Sequence, residues 1–127
     1  MVKRNLAEGL PEVQADPVYL AGVIMNLVAN AIDAVAASDM IEVETGLEVG
    51  SIRIRIRDTG CGIPEELLGR IFDPFFTTKP WEQGSGLGLA ISRRIVEAHG
   101  GTITIESRVG RGTTVTVLLA HPLRGRR

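Results

Sequence analysis

The sequence predicts an α+β fold: a two-layer α/β sandwich with a mixed, partly antiparallel sheet and helices on one of its faces. Three observations carry this. Residues 17–37 and 87–99 hold apolar positions at helical spacing. Ile41–Glu48 and Ser51–Asp58 alternate at period two, and IRIRIR (52–57) puts isoleucine on one face and arginine on the other, so one face of the sheet is wet. The strands come as adjacent pairs flanked by helices, the pattern of a two-layer sandwich rather than of a doubly wound sheet. At 127 residues the chain suits one domain that buries roughly two-thirds of the surface its unfolded form exposes.

Each element has a local reason. Residues 2–6 and 12–15 read as short strands around a turn at 9–11, and Asp16-Pro17 supplies an N-cap followed by proline at the first helical position. Glu42, Glu44 and Glu48 can meet Arg53, Arg55 and Arg57 across the wet face. Each such pair contributes about 0.2–1 kcal/mol, so the arginine stripe reads as solvated scaffold rather than a nucleic-acid surface. Residues 64–70 predict a short helix, 72–85 a loop, and 87–99 a long helix stopped by Gly100-Gly101. Strands at 102–107 and 113–119 close around the glycines at 110–112.

Composition excludes several classes of function. Fourteen Lys+Arg against 15 Asp+Glu give no basic field for nucleic acid or anionic lipid, and Arg124, Arg126 and Arg127 read as a solvated tail. Cys61 is the single cysteine, so there is no internal disulfide and no Cys metal cluster, which suits a reducing compartment. The first residues lack an apolar core of signal-peptide length and no stretch approaches a membrane span. The expectation is a cytoplasmic domain without direct membrane contact.

Three constellations carry chemistry. In GSGLGLA (84–90), Gly84, Gly86 and Gly88 run into a helix, where free backbone N–H groups and a positive dipole end can receive phosphate; a plain helix entry is the alternative. Asn26, Asn30 and Asp33 are spaced i, i+4, i+7 on an otherwise apolar helix, which stacks them in one stripe. Buried amides need partners, so either a nearby loop or a ligand lies against them. Asp58, followed by Gly60 and Gly62, can accept from the exocyclic amine of an adenine, although an Asp-Gly turn also fits. Asp58-Thr59-Gly60 is moreover the triplet of aspartic proteases, some of them dimers of about this length, but two long helices argue against that nearly all-β fold.

Taken in order, NLVANAID (26–33), DTGCGIP (58–64), IFDPFFTTK (71–79), GSGLGLA (84–90) and GRGTTVTV (110–117) resemble the N, G1, F and G2 boxes and closing strand of the ATP-binding catalytic domain of sensor histidine kinases. DNA gyrase, the Hsp-type chaperones and the MutL repair proteins share this superfamily, whose sandwich is the Bergerat ATP-binding fold. The resemblance covers residues 16–119, and the PFFTTK form looks most like the nitrogen- and C4-dicarboxylate-sensing branch.

The resemblance implies ATP and Mg²⁺ as ligands. Asn30 would coordinate the metal, with Asn26 beside it and Asp33 on the same stripe. Asp58 would take the adenine amine, Gly60, Gly62 and Ile63 would line the base pocket, and Thr113 would hydrogen-bond near the base. Gly84, Ser85, Gly86, Leu87, Gly88 and Leu89 would surround the phosphates, with Thr78 and Lys79 approaching from the loop. Phe72, Phe75 and Phe76 would anchor that loop. Gyrase-like members carry Glu one turn before the metal ligand to activate water; Asn26 cannot take a proton there, so the site is expected to hold ATP for another nucleophile.

No histidine here suits that nucleophile, since His99 precedes Gly100 and His121 precedes Pro122. The phosphoacceptor and dimerisation hairpin is expected before Met1, with a response regulator downstream. Alternatives are a superfamily protein serine kinase, an ATP-binding scaffold and, remotely, the aspartic protease. Cys61 reads as a small filler.

Overall fold

The computed structural model describes residues 2–6, 17–48, 50–74 and 88–120. Its elements are β1 (Val2–Asn5), α1 (Pro17–Ala34), β2 (Ile41–Glu48), β3 (Ser51–Asp58), α2 (Glu65–Leu68), α3 (Gly88–Ala98), β4 (Thr102–Arg108) and β5 (Gly112–Ala120). The five strands order as β1-β2-β3-β5-β4. β1 runs parallel to β2, and every other pairing is antiparallel. The expected mixed sheet with helices on one face is therefore the fold observed. The expected strand at 12–15 lies outside the described residues.

Period-two patterning sets the layers. Opposed residues share a face, so register aligns Val43, Ile56, Val115 and Ile105 in one row, and Ile54, Val117 and Ile103 in the next. Onto these rows α1 lays Val23, Leu27 and Ala31, spaced i, i+4, i+8, and α3 adds Val96, all buried in one core. The outer face carries the expected ion pairs: Arg57–Glu42, Arg55–Glu44 at 3.1 Å and Arg53–Glu48 at 3.1 Å, with Arg57 to Glu42 at 2.6 Å. Arg53 stands opposite Gly46 rather than a glutamate. A Cβ on Gly46 would come within 2.5 Å of the Arg53 guanidinium, so the missing side chain is what lets Arg53 cross the strand to Glu48.

α1 ends at Ala34, leaving 35–37 outside the helix that the periodicity predicts. Polar groups compete for the backbone there. Asp39 Oδ2 accepts from the Ala36 N–H at 2.8 Å, and the Ala34 carbonyl accepts from the Cys61 N–H at 3.1 Å. At the end of α3, Gly100 takes a left-handed φ of 78° and the Gly101 N–H returns to the Val96 carbonyl at 2.9 Å.

Candidate functional site

The apolar rows of the sheet end in a polar one. Register places Asp58 on β3 opposite Thr113 on β5, and Thr113 opposite Ser107 on β4, on the face that the helices cover. Asp58 is 5 % exposed. Its Oδ1 accepts from the Gly60 N–H at 2.9 Å, and the Thr113 backbone also hydrogen-bonds to it. Burial is the stronger influence and raises its pKa above the ordinary 3.8, with the charge of Asp39 adding to the rise; the two backbone hydrogen bonds oppose it. No cation pairs with Asp58 among the described residues. This is a buried carboxylate with accepting capacity left over.

The glycines that follow Asp58 serve the backbone as much as any ligand. A Cβ on Gly60 would collide with the Ala34 carbonyl, and one on Gly62 with the Arg108 carbonyl. Gly62 also holds a left-handed φ of 78°. The segment is thus wedged between the end of α1 and the β4–β5 turn. Cys61 clamps it from both sides through its backbone, donating to Ala34 and accepting from the Gly110 N–H at 2.9 Å. Its side chain is exposed, so the expectation that Cys61 fills a gap is corrected: the tight fit is made by main chain, and the thiol points outward.

Ser107, which sequence reasoning missed, joins the remaining pieces. Its hydroxyl accepts from the Ile63 N–H at 2.8 Å, donates to the Gly112 carbonyl at 3.0 Å and lies 2.7 Å from Thr113 Oγ1. Its signal was present: Ile103, Ile105 and Ser107 continue one inward set at period two, with a polar residue where the core stops.

A second cluster forms where α1 meets α3. Asn26 Nδ2 donates to Ser92 Oγ at 3.1 Å, and Ser92 is 2 % exposed. A Cβ on Gly88 would strike the Asn26 amide, so Gly88 lets the start of α3 close on that side chain. Ser92 was also missed, although a serine four residues from both Gly88 and Val96 marks a polar position in the buried stripe of α3. Leu89 is half-buried beside Gly88. Phe72 packs against the core, with the Arg93 guanidinium 4.9 Å from its ring centroid and Arg93 Nε bonded to Glu97 at 3.1 Å.

α1 connects the two clusters. Asn26 abuts Gly88 and Ala34 abuts Gly60, about 12 Å apart along the axis at helical rise. Asn30, half-buried, lies midway, and Asp33 is exposed near the Gly60 end. A buried acceptor site at one end and the N-terminus of an eleven-residue helix at the other suit an elongated ligand with a base-like head and an anionic tail. Thr78, Lys79, Gly84, Ser85, Gly86 and Leu87, with Phe75 and Phe76, lie outside the described residues. His99 is structural as expected, its Nδ1 lying 2.7 Å from the Ile95 carbonyl. Among the described residues no three His, Cys, Asp or Glu gather as a metal site, and no helix is long and apolar enough to cross a membrane.

Comparison with known proteins shows the family. A family described as histidine kinase-, DNA gyrase B-, and HSP90-like ATPase matches residues 15–123. The chain belongs to this family. It is an ATP-binding family, so the chain is of ATP-binding type and the aspartic protease reading of Asp58-Thr59-Gly60 falls. Sensor histidine kinase ZraS of Escherichia coli (strain K12) is 46% identical over 110 residues, 87% of this chain but 23% of ZraS. The chain thus spans about a quarter of that relative's length. The catalytic domain of histidine kinase ThkA superposes with a TM-score of 0.82 at 36% identity, over 94% of this chain and 78% of ThkA's. Full-length ShkA, solved in complex with AMPPNP, superposes with a TM-score of 0.80 at 28% identity, over 97% of this chain and 27% of ShkA's. The resemblance to sensor histidine kinases and the two-layer fold it implied are both borne out.

Proposed function

We propose that this chain is the single ATP-binding catalytic domain of a larger sensor histidine kinase, donating the γ-phosphoryl group of ATP to a histidine on a separate phosphoacceptor hairpin. The observation that carries this is the pairing of the buried Asp58 acceptor with the Asn26–Gly88 junction, joined by α1. Asp58 accepts from the adenine amine, with Gly60, Gly62, Ile63 and Thr113 around the base. The N–H groups that open α3 at Gly88 hold the phosphates, a task the resemblance extends to Gly84 and Gly86, with Lys79 as the charge for the terminal phosphate. Asn30 and the phosphate oxygens would hold Mg²⁺, a fit for a metal that keeps phosphate and water in most of its shell and needs no acidic cluster. The metal would neutralise charge developing on the phosphates.

Asn26 stands where water activation would require a carboxylate. Its amide is committed to Ser92 and takes no proton. The bond from the γ-phosphorus to the β–γ bridging oxygen breaks to leave ADP, an imidazole nitrogen forms the new N–P bond, and the imidazole proton is released to solvent. A response regulator would then receive the phosphoryl group. PFFTTK supports placement on the nitrogen- and C4-dicarboxylate-sensing branch.

The test supplies γ-labelled ATP, Mg²⁺ and the phosphoacceptor hairpin of the parent protein as a separate polypeptide. Acid-labile, base-stable label on the hairpin alone is expected. Label on this chain, acid-stable label of the phosphoserine kind, or rapid phosphate release without acceptor would each contradict the proposal.

A further inference from the structure

Ser107 has one proton and three hydrogen-bonding neighbours. The Ile63 N–H can only donate to it, and the Gly112 carbonyl can only accept from it. The 2.7 Å contact to Thr113 Oγ1 can be donated from either side; with the Ser107 proton on Gly112, Thr113 is the donor. In that arrangement the Thr113 hydroxyl proton points toward β4, away from Asp58, and the oxygen keeps its lone pairs for the other side. Asp58 stands directly opposite Thr113 on the same face. The polar end of the sheet then presents acceptors: the Asp58 carboxyl beside a hydroxyl whose proton is turned away.

We propose that Ser107 is a positioning and specificity-determining residue of the base site. By fixing the direction of the Thr113 hydroxyl, it makes the pocket reject purines that carry a carbonyl where adenine carries its amine. This rests on the reading of Asp58 and Thr113 as the base site. Released from Ser107, Thr113 can turn its proton toward a C6 carbonyl oxygen and bond to it. The same release does little for adenine, whose amine already has Asp58.

The experiment measures ATP and ITP affinity by calorimetric titration with Mg²⁺, at a pH well above the Asp58 titration, for the parent chain, Ser107→Ala, Ser107→Thr, Thr113→Val and the Ser107→Ala/Thr113→Val double variant. The parent is expected to prefer ATP at least tenfold. Ser107→Ala should cut that preference at least threefold, whatever it does to thermal stability, and Ser107→Thr, which keeps the hydroxyl, should preserve it. In the Thr113→Val background, Ser107→Ala should no longer change the ratio. Ser107→Cys, similar in volume but a weak acceptor, should act like alanine and replaces it if the alanine variant does not fold.

Equal weakening of both nucleotides with an unchanged ratio would overturn the proposal and leave Ser107 a structural link only. A ratio change that persists without the Thr113 hydroxyl would overturn it as well. A parent chain that binds ATP and ITP alike would instead contradict the base-site reading itself, which separates the two failures.

Discussion

The side-chain amide of Asn26 donates to the hydroxyl of Ser92 at 3.1 Å, joining α1 to α3 one turn beyond Gly88. Ser92 is 2 % exposed, so its hydroxyl has no water to fall back on if the half-buried Asn26 is removed. Asn26→Ala is expected to destabilise the chain by about 1–3 kcal/mol, the cost of leaving the buried Ser92 hydroxyl unpaired, and Ser92→Ala by less, because the half-buried Asn26 amide can turn to water. The double variant should cost less than the two together, as measured by urea unfolding. Additive losses would show that the two side chains are not coupled.

Glycine positions near the site should differ sharply. Gly62 has a φ of 78° with the Arg108 carbonyl where a Cβ would go, whereas Gly69 has a φ of −72° with nothing within 4 Å. Gly62→Ala is expected to lose about 1–3 kcal/mol from backbone strain alone, with the collision adding to it, and Gly69→Ala to change little. Thermal melts of the two variants decide this. Equal melting temperatures would contradict the wedged geometry of residues 60–62.

The two faces of the sheet make a second contrast. Leu27 is 2 % exposed on the helix-covered side, and Leu27→Ala should cost about 2–5 kcal/mol. Arg55 lies on the outer side, paired with Glu44 but in reach of solvent, and Arg55→Ala should cost less than about 1 kcal/mol. Denaturant unfolding of both variants checks the layering. A larger loss at Arg55 than at Leu27 would reverse it.

The fold was legible because its signals are local and periodic. IRIRIR fixes which face of β3 is wet, and the bounds of β2 and β3 come out as the alternation predicts. The end of α1 was not legible, because it depends on a side-chain bond from Asp39 and a backbone bond from Cys61, twenty or more residues apart in their origin. Of the site, the motif residues Asp58, Gly60, Gly62, Ile63 and Thr113 do gather at one sheet end. What the strings could not reveal is that Gly60 and Gly62 answer to main-chain carbonyls, or that Ser107 and Ser92 hold motif residues in place. Both serines interrupt an apolar period, a sign that becomes specific only once the neighbours across the gap are known.

Asp58 should impose a pH dependence on stability. Burial favours its neutral form in the folded chain and raises its pKa above 3.8. That preference is fully available at pH below 3.8 and is lost as pH rises through the raised folded-state value, because the ionised form must then be held in a buried position. Asp58→Asn does not ionise and keeps its contribution throughout. Its stability relative to the parent should therefore rise across that window and level off above it, as followed by thermal unfolding from pH 3 to pH 8. A gap that narrows with rising pH would show that burial is not what governs Asp58.

The most direct measurement is calorimetric titration of the chain with ATP and with GTP, each in excess Mg²⁺, repeated on Asp58→Asn. Asp58 can accept from the amine of adenine but faces the carbonyl of guanine as a second acceptor, so ATP should bind at least tenfold more tightly, a difference of about 1.4 kcal/mol or more. Asp58→Asn should erase most of that difference. Equal affinities for ATP and GTP in the parent chain would contradict the assignment of the Asp58 pocket as an adenine site.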